Sequence, residues 1–269
     1  MKLLKQKKAM VMIFFLSILI VIIIMPMLFF TLYTKQAQFE KTLGSLQLDL
    51  IQTYHSAEQD LLYIDQSAKY SAIQTSYDLA ANGGFYFPSS CGKFSDTEYQ
   101  LWNNKDKECY PNYELSFKTR LTNNLNDYFN VNKLPPPKYE FTILAQNIIG
   151  IAAENMIYKL ENGNYSIKPS FNINIGYNIN EYQNIITQAK QLVEKCSTAD
   201  LQNCIKQNLP AGFLFGSCEG DQTIKDRTTR FCIISPTKLP ILNPTTNKIE
   251  STNIKYKFAL YFPEQPQQQ

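Results

Sequence analysis

Cysteine carries the clearest chemical signal in this 269-residue chain. Its six cysteines, Cys91, Cys109, Cys196, Cys204, Cys218 and Cys232, all follow a long apolar N-terminal segment. Thiols in such numbers either ligate a metal or crosslink the chain. Zinc ligation calls for C-x-x-C pairs or clustered histidines; the chain has neither, and its one histidine, His55, is far from every cysteine in sequence. Disulfides are therefore the expected chemistry. Of the fifteen possible pairings, the three nearest-neighbour bridges are preferred because they close short loops of about 10 to 20 residues, each worth roughly 2–3 kcal/mol in the chain-entropy account. Bridges of this kind persist in an oxidising compartment.

The other reactive residue types form no constellation. His55 stands next to Tyr54, off the apolar seam of a helical pattern, and reads as an exposed helix residue. Without a second histidine, multi-histidine metal sites and most hydrolase arrangements drop out. Carboxylates fall close together as Asp106 with Glu108 and as Glu219 with Asp221, followed by Asp226. A glycosidase needs two carboxylates at a set separation in space, which sequence proximity does not supply, so solvated loop residues are the plainer reading. The loop Glu219-Gly220-Asp221, between Cys218 and Cys232, is the one contact or cation candidate among them. Gly212-Phe213-Leu214-Phe215-Gly216-Ser217 has neither the Gly-Lys-Ser/Thr of a P-loop nor a dinucleotide fingerprint; it reads as a buried strand with tight ends. Seventeen Tyr and seventeen Phe offer contact surface for protein or carbohydrate, although core packing and strand preference account for most of them. No catalytic residue, cofactor or metal site is expected, and the chain reads as a non-enzyme. Asn164-Tyr165-Ser166 is a sequon, which makes Asn164 a candidate for glycosylation on an outer surface.

The elements that must carry these residues start at the N-terminus. Ala9 to Thr34 is a run of 26 residues without a charged side chain, longer than the roughly 20 needed to cross a bilayer as a helix. A cleaved signal would have a shorter core and a small-residue cleavage site at its end; here the run closes on Phe29, Phe30 and Tyr33, interfacial aromatics with Lys35 beyond them. Lys2, Lys5, Lys7 and Lys8 precede the run, and without those four, 22 basic residues face 23 acidic ones. The basic excess is thus a membrane signal. It leaves no basic face for nucleic acid, and the positive-inside rule sets the N-terminus in the cytoplasm and the rest outside.

From Phe39 the apolar positions Leu43, Leu46, Leu50, Tyr54, Ala57, Leu61, Ile64, Ala68, Ala72, Thr75 and Leu79 follow at spacings of three and four. This predicts one helix or coiled-coil seam, closed by Asn82-Gly83-Gly84 and roughly 70 Å long beyond the membrane. Its stripe needs a partner, either the chain's own C-terminal domain or the same helix of a neighbour. Further helices are expected over Tyr113–Phe129, with Leu115, Leu121, Leu125, Tyr128 and Phe129 as anchors, over Glu181–Cys196, and onward from a capping box at Ser197 and Asp200 to Leu209. Strands are expected over Tyr139–Asn147, Ile148–Glu161, Asn164–Ile179, Gly212–Ser217, Arg230–Ser235 and Ile254–Phe262, with an Asn-Gly turn at Asn162-Gly163. The fold class that results is α+β, an antiparallel sheet resting on the long helix and two or three others. It divides into a cytoplasmic basic tip (1–8), a transmembrane helix (9–34), a long amphipathic helix (35–82), a disulfide-stapled ectodomain (83–262) and a disordered tail (263–269).

The segment Lys7-Lys8-Ala9-Met10-Val11, in which basic residues and a small residue lead into an uninterrupted apolar helix, resembles the N-terminus of archaeal type IV pilin-like proteins. The resemblance covers about the first 30 residues. In that family a prepilin peptidase cuts after the small residue and the exposed helix packs into a filament core. Carried over, the cut falls between Ala9 and Met10, and Pro26 matches the helix-kinking proline of many pilins. Phe14 departs from the pattern, standing at the fifth mature position where many pilins have glutamate, and the helix is longer than a typical pilin helix. The chain as a whole is also similar to archaeal single-pass surface proteins.

The expectation is a single-pass membrane protein, non-enzymatic, for pilin-like assembly or adhesion at the cell surface. Its partners are the membrane and either further copies or a membrane partner protein met through the long helix; nucleic acid is not one. The alternative is a membrane-tethered ligand-binding or sensory ectodomain that works with a partner. A polar concave pocket in the outer domain favours the second reading, and an uncovered apolar stripe on the long helix favours the first.

Overall fold

Residues Lys2–Ala81 form one helix, α1, of 80 residues. The computed structural model describes residues 2–95, 97–131, 134, 138–160, 163–197, 200–243, 246 and 248–264, with side chains for all of them except 2–14, 37–43 and 243. Pro26 lies inside α1. Phe15–Gln36 is long and apolar enough to cross a membrane, and none of that stretch is buried. Two glycines end the helix. The Gly84 N–H donates to Leu79 O (2.7 Å) and the Gly83 N–H to Ala80 O (3.2 Å), with Gly83 at φ 65°, the left-handed cap that satisfies the last carbonyls. A Cβ on Gly83 would also stand 2.9 Å from Lys257 O.

The stripe predicted along α1 divides in two. Ala57, Ile64, Ala68, Ala72, Thr75 and Leu79 are buried as the spacing demands, whereas Leu46, Leu50 and Tyr54 stay 40–51% exposed. The chain itself forms two compact units, one of 1–58 with 157–166 and one of 59–156 with 167–269. Apart from their outer residues Met156 and Ile167, β4 (Met156–Leu160) and β5 (Gly163–Ile167) belong to the first and pair as a two-stranded sheet. The Tyr165 ring meets Tyr54 of α1 edge-on, centroids 6.3 Å apart.

The second unit holds two sheets. Strands β9 (Thr228–Asn243) and β10 (Lys248–Tyr261) form a long antiparallel hairpin. Beside β10 lies β1 (Gln100–Leu101), in parallel; beside β9 lie β7 (Phe213–Phe215) and the short β8 (Ile224–Lys225). The other sheet has the order β2-β3-β6, from Tyr139–Leu144, Asn147–Ala152 and Ser170–Asn174, all antiparallel. Inner faces are aromatic: Phe231, Phe258 and Phe262 are fully buried, and Trp102 stacks on Phe258 at 3.9 Å. The Trp102 indole donates to Gly83 O (2.8 Å), which fastens the end of α1 to this sheet.

Helices α2 (Tyr113–Val131), α3 (Glu181–Lys195) and α4 (Leu201–Asn208) complete the unit. In α2, Tyr113, Phe117, Leu121, Leu125 and Phe129 recur every four residues and are buried. Leu115, expected as an anchor, is 63% exposed because it falls on the far side of that repeat. The α4 cap also differs from expectation: Asp200, not Ser197, accepts from Asn203 N, and Ser197 Oγ instead donates back to Glu194 O. Two of the predicted strands break in two, 148–161 into β3 and β4 and 164–179 into β5 and β6. Asn162 of the predicted turn lies outside the described residues. The expected tail is anchored at its start, where Arg227 bonds Glu264 (3.2 Å) and Pro263 O (3.4 Å); 265–269 lie outside the described residues.

At Gly150 on β3, a Cβ would lie 2.2 Å from Phe171 Cζ, so the ring occupies the space an alanine needs. Gly150→Ala is expected to destabilise the chain by about 1–3 kcal/mol, seen as a lower urea midpoint for the full chain in detergent micelles, followed by Trp102 fluorescence. An unchanged midpoint would mean that the Phe171 ring has room to move.

Candidate functional site

The cysteines come together in the three nearest-neighbour pairs, Cys91–Cys109, Cys196–Cys204 and Cys218–Cys232, at S–S distances of 2.06, 2.10 and 1.97 Å. The first closes the loop that carries β1, the second joins the C-cap of α3 to the middle of α4, and the third ties the turn after β7 to β9. Among the described residues no cysteine is free and no cluster of His, Cys, Asp and Glu could hold a metal. His55 is exposed on α1. The paired carboxylates point to separate partners: Glu108 to Lys190 (3.2 Å) and Asp221 to Arg230 (2.6 Å), both carboxylates well exposed. Asp226 sits with Arg227 in the positive-φ turn between β8 and β9. Asn164 is exposed on β5, and Ala9 and Met10 lie in α1, where their side chains are outside the described set.

A concavity of about 560 Å³ opens elsewhere, where the N-terminal ends of α2 and α3 meet. Pro111, Ile143 of β2 and Ile179 supply its apolar wall, with Tyr110 beside them; Asn112, Asn180, Gln183 and Glu114 supply its polar groups. Local structure explains why the amides stand here. Asn112 caps α2 by accepting from Leu115 N (3.1 Å), as asparagine does at this position. Asn180 holds the equivalent position of α3 but makes no side-chain cap, because backbone bonds from Tyr182 N to Ile179 O and from Gln183 N to Asn180 O already close that turn. Its amide is left facing outward, one helical turn before that of Gln183.

The electrostatics are close to neutral. Two helix N-termini bring partial positive charge, and Glu114 and Glu181 in the first turns oppose it. Glu114 is paired with Lys118 (2.7 Å); burial pushes the Glu181 carboxyl up. Lys190 stands 4.4 Å over the Tyr110 ring. Burial, with Glu108 and Glu194 nearby, pushes the Tyr110 phenol well up, so it keeps its proton and can donate.

Behind the cleft lies a buried tyrosine cluster. Tyr113 stacks on Tyr182 (3.7 Å), Tyr182 meets Tyr256 edge-on (4.6 Å), and Tyr177 lies 6.4 Å from Tyr256. Burial pushes the Tyr113, Tyr182 and Tyr256 phenols up, so none is a base. The hydroxyls of Tyr177, Tyr182 and Tyr256 have no hydrogen-bond partner among the described residues. This cluster supplies packing, and the amides of the cleft can bind. Sequence reasoning missed the cleft. Its legible signal was an asparagine immediately before each helical pattern, at 112 and 180; the meeting of the two helix ends is a tertiary fact.

Because the Tyr182 hydroxyl makes no protein hydrogen bond, Tyr182→Phe is expected to cost less than about 0.5 kcal/mol, whereas Tyr63→Phe removes a 2.8 Å bond to Tyr128 O and costs about 1 kcal/mol. Urea midpoints of the two variants check the order; a larger loss for Tyr182→Phe would show that its hydroxyl is held. No family model matches the chain, and no curated protein or solved structure matches it either.

Proposed function

We propose that the chain is a non-enzymatic, single-pass membrane-anchored surface subunit that assembles through its N-terminal helix in the manner of pilin-like proteins. The observation that carries the reading is the exposed apolar surface of α1. Every described large apolar side chain from Phe15 to Tyr33 is exposed, and exposure resumes beyond that stretch at Leu46, Leu48, Leu50, Ile51 and Tyr54. The first run suits lipid. The second lies past any bilayer that begins at the basic tip, and water is a poor solvent for it: burying such surface is worth about 25 cal/mol per Å². On one helix, Leu46, Leu50 and Tyr54 recur every four residues, the spacing of a helix–helix seam. A shared membrane anchor holds neighbouring copies parallel and at one height, so like stripes meet. Three disulfide pairs fit an oxidising exterior, and the lysines before the span fit a cytoplasmic N-terminus. The cleft between α2 and α3 favours a second reading, a tethered ligand-binding ectodomain, which is compatible with the same anchor.

The intact mass and N-terminal sequence of the protein from its native membrane test the first reading. A mature start at Met10 is expected. A start at Met1 would overturn pilin-type processing and leave a permanent anchor. Independently, Leu46→Asp and Leu50→Asp are expected to abolish chemical crosslinking between copies in that membrane; undiminished crosslinking would rule out the stripe as the seam.

A further inference from the structure

We propose that the cleft between the N-termini of α2 and α3 binds a neutral saccharide. The site is independent of the anchor and of assembly through α1. Its volume, about 560 Å³, falls within the range of small-ligand sites, and its chemistry is specific in three respects.

Charge is the first. Glu114, the charged residue of the lining, is paired with Lys118, and Lys190 beside Tyr110 is paired with Glu108, so the lining itself offers neither an anion nor a cation an unpaired counter-charge. Hydrogen bonding is the second. Asn180 and Gln183 are exposed, and their amide groups have no partner among the described residues; Asn112 uses only its Oδ1, on Leu115 N. Each free amide offers a donor and an acceptor side by side, the pattern that vicinal hydroxyl groups match, since each hydroxyl also gives one hydrogen bond and takes others. Shape is the third. Pro111, Ile143 and Ile179 form an apolar wall beside the Tyr110 ring, which suits the C–H face of a pyranose. An extended peptide would instead look for a strand edge to pair with; the polar groups here are side chains at two helix ends.

The residues are held ready. Asn112 is fixed by its capping bond, and Asn180 and Gln183 sit on the first turn of α3, whose opposite face is locked by the buried Tyr182, Ile185 and Ile186. The backbone beneath these groups needs little further ordering, so binding has to fix only the exposed Asn180 and Gln183 side chains.

The test uses the full chain in a sugar-free zwitterionic detergent and a panel of neutral saccharides: glucose, galactose, mannose, N-acetylglucosamine, N-acetylgalactosamine and their β-linked trisaccharides, with triglycine as a peptide probe. Ligand-observed NMR reads binding. Saturable binding of at least one saccharide is expected. Asn180→Ala and Gln183→Ala should each weaken it about fivefold to tenfold, the loss of one net hydrogen bond, at an unchanged melting temperature. Gln222→Ala, in a separate groove beside β7, should leave it as it is. Binding of no saccharide in the panel, binding of triglycine alone, or saccharide binding that survives both cleft substitutions would each overturn the proposal.

Discussion

One hydrogen bond, from the Trp102 indole to the carbonyl of Gly83, holds the point from which the head of the molecule is built. An 80-residue helix must stop somewhere, and its last carbonyls must be satisfied where it stops. Gly83 and Gly84 satisfy two of them by turning left-handed, and the carbonyl that this turn exposes is taken by Trp102. The same indole ring lies flat on Phe258 of β10, and its backbone N–H donates to Ala259 O. Gly84 in turn lies so close to Pro111 and Tyr182 that a Cβ would stand 2.9 and 3.3 Å from them. Helix end, central strand and the approach to the cleft are thereby fixed by two adjacent glycines and one aromatic ring.

Around that point the unit relies on aromatic stacking and covalent ties. The Cys91–Cys109 loop delivers Trp102, and the Cys218–Cys232 pair holds β7 against β9, where Phe213 and Phe215 meet Phe231 and Phe258. Arg230 bonds Asp221 in the same disulfide loop and lies 5.5 Å from the rings of both Phe94 and Tyr99. Glu219-Gly220-Asp221, the one candidate loop for cation contact in the sequence, is thus drawn into structure by an arginine and reads as a brace.

Legibility followed the range of the interaction. Local signals served well: the glycine stop after α1, the apolar spacing of α3, the short loops between paired cysteines. Prolines misled. The strand expected over Arg230–Ser235 stops where Pro236 begins, yet β9 runs on through Pro236 and Pro240 to Asn243. The continuation is possible because that half pairs along one side with β10, and a register shift after Asn253, whose amide donates to Ser235 O (2.8 Å), absorbs the irregularity. Nothing local announced β1, two residues that pair in parallel with a strand more than 150 positions later. The cleft was hidden for the same reason, since its two caps are ordinary until the fold sets them side by side.

Between the buried Ile64, Ile73 and Leu79, the end of α1 packs through small side chains, Ser67, Ala68, Ser71, Ala72, Thr75, Ser76 and Ala80, all at 3% exposure or less. Such a face restricts the mutational spectrum from both directions. Growth is blocked, because each added methylene meets a packed neighbour. Shrinkage below alanine leads only to glycine, which a helix interior disfavours by about 1 kcal/mol. Substitution at these seven positions is therefore confined to exchange among alanine, serine and threonine, which makes this face the part of α1 with the least freedom to change in size.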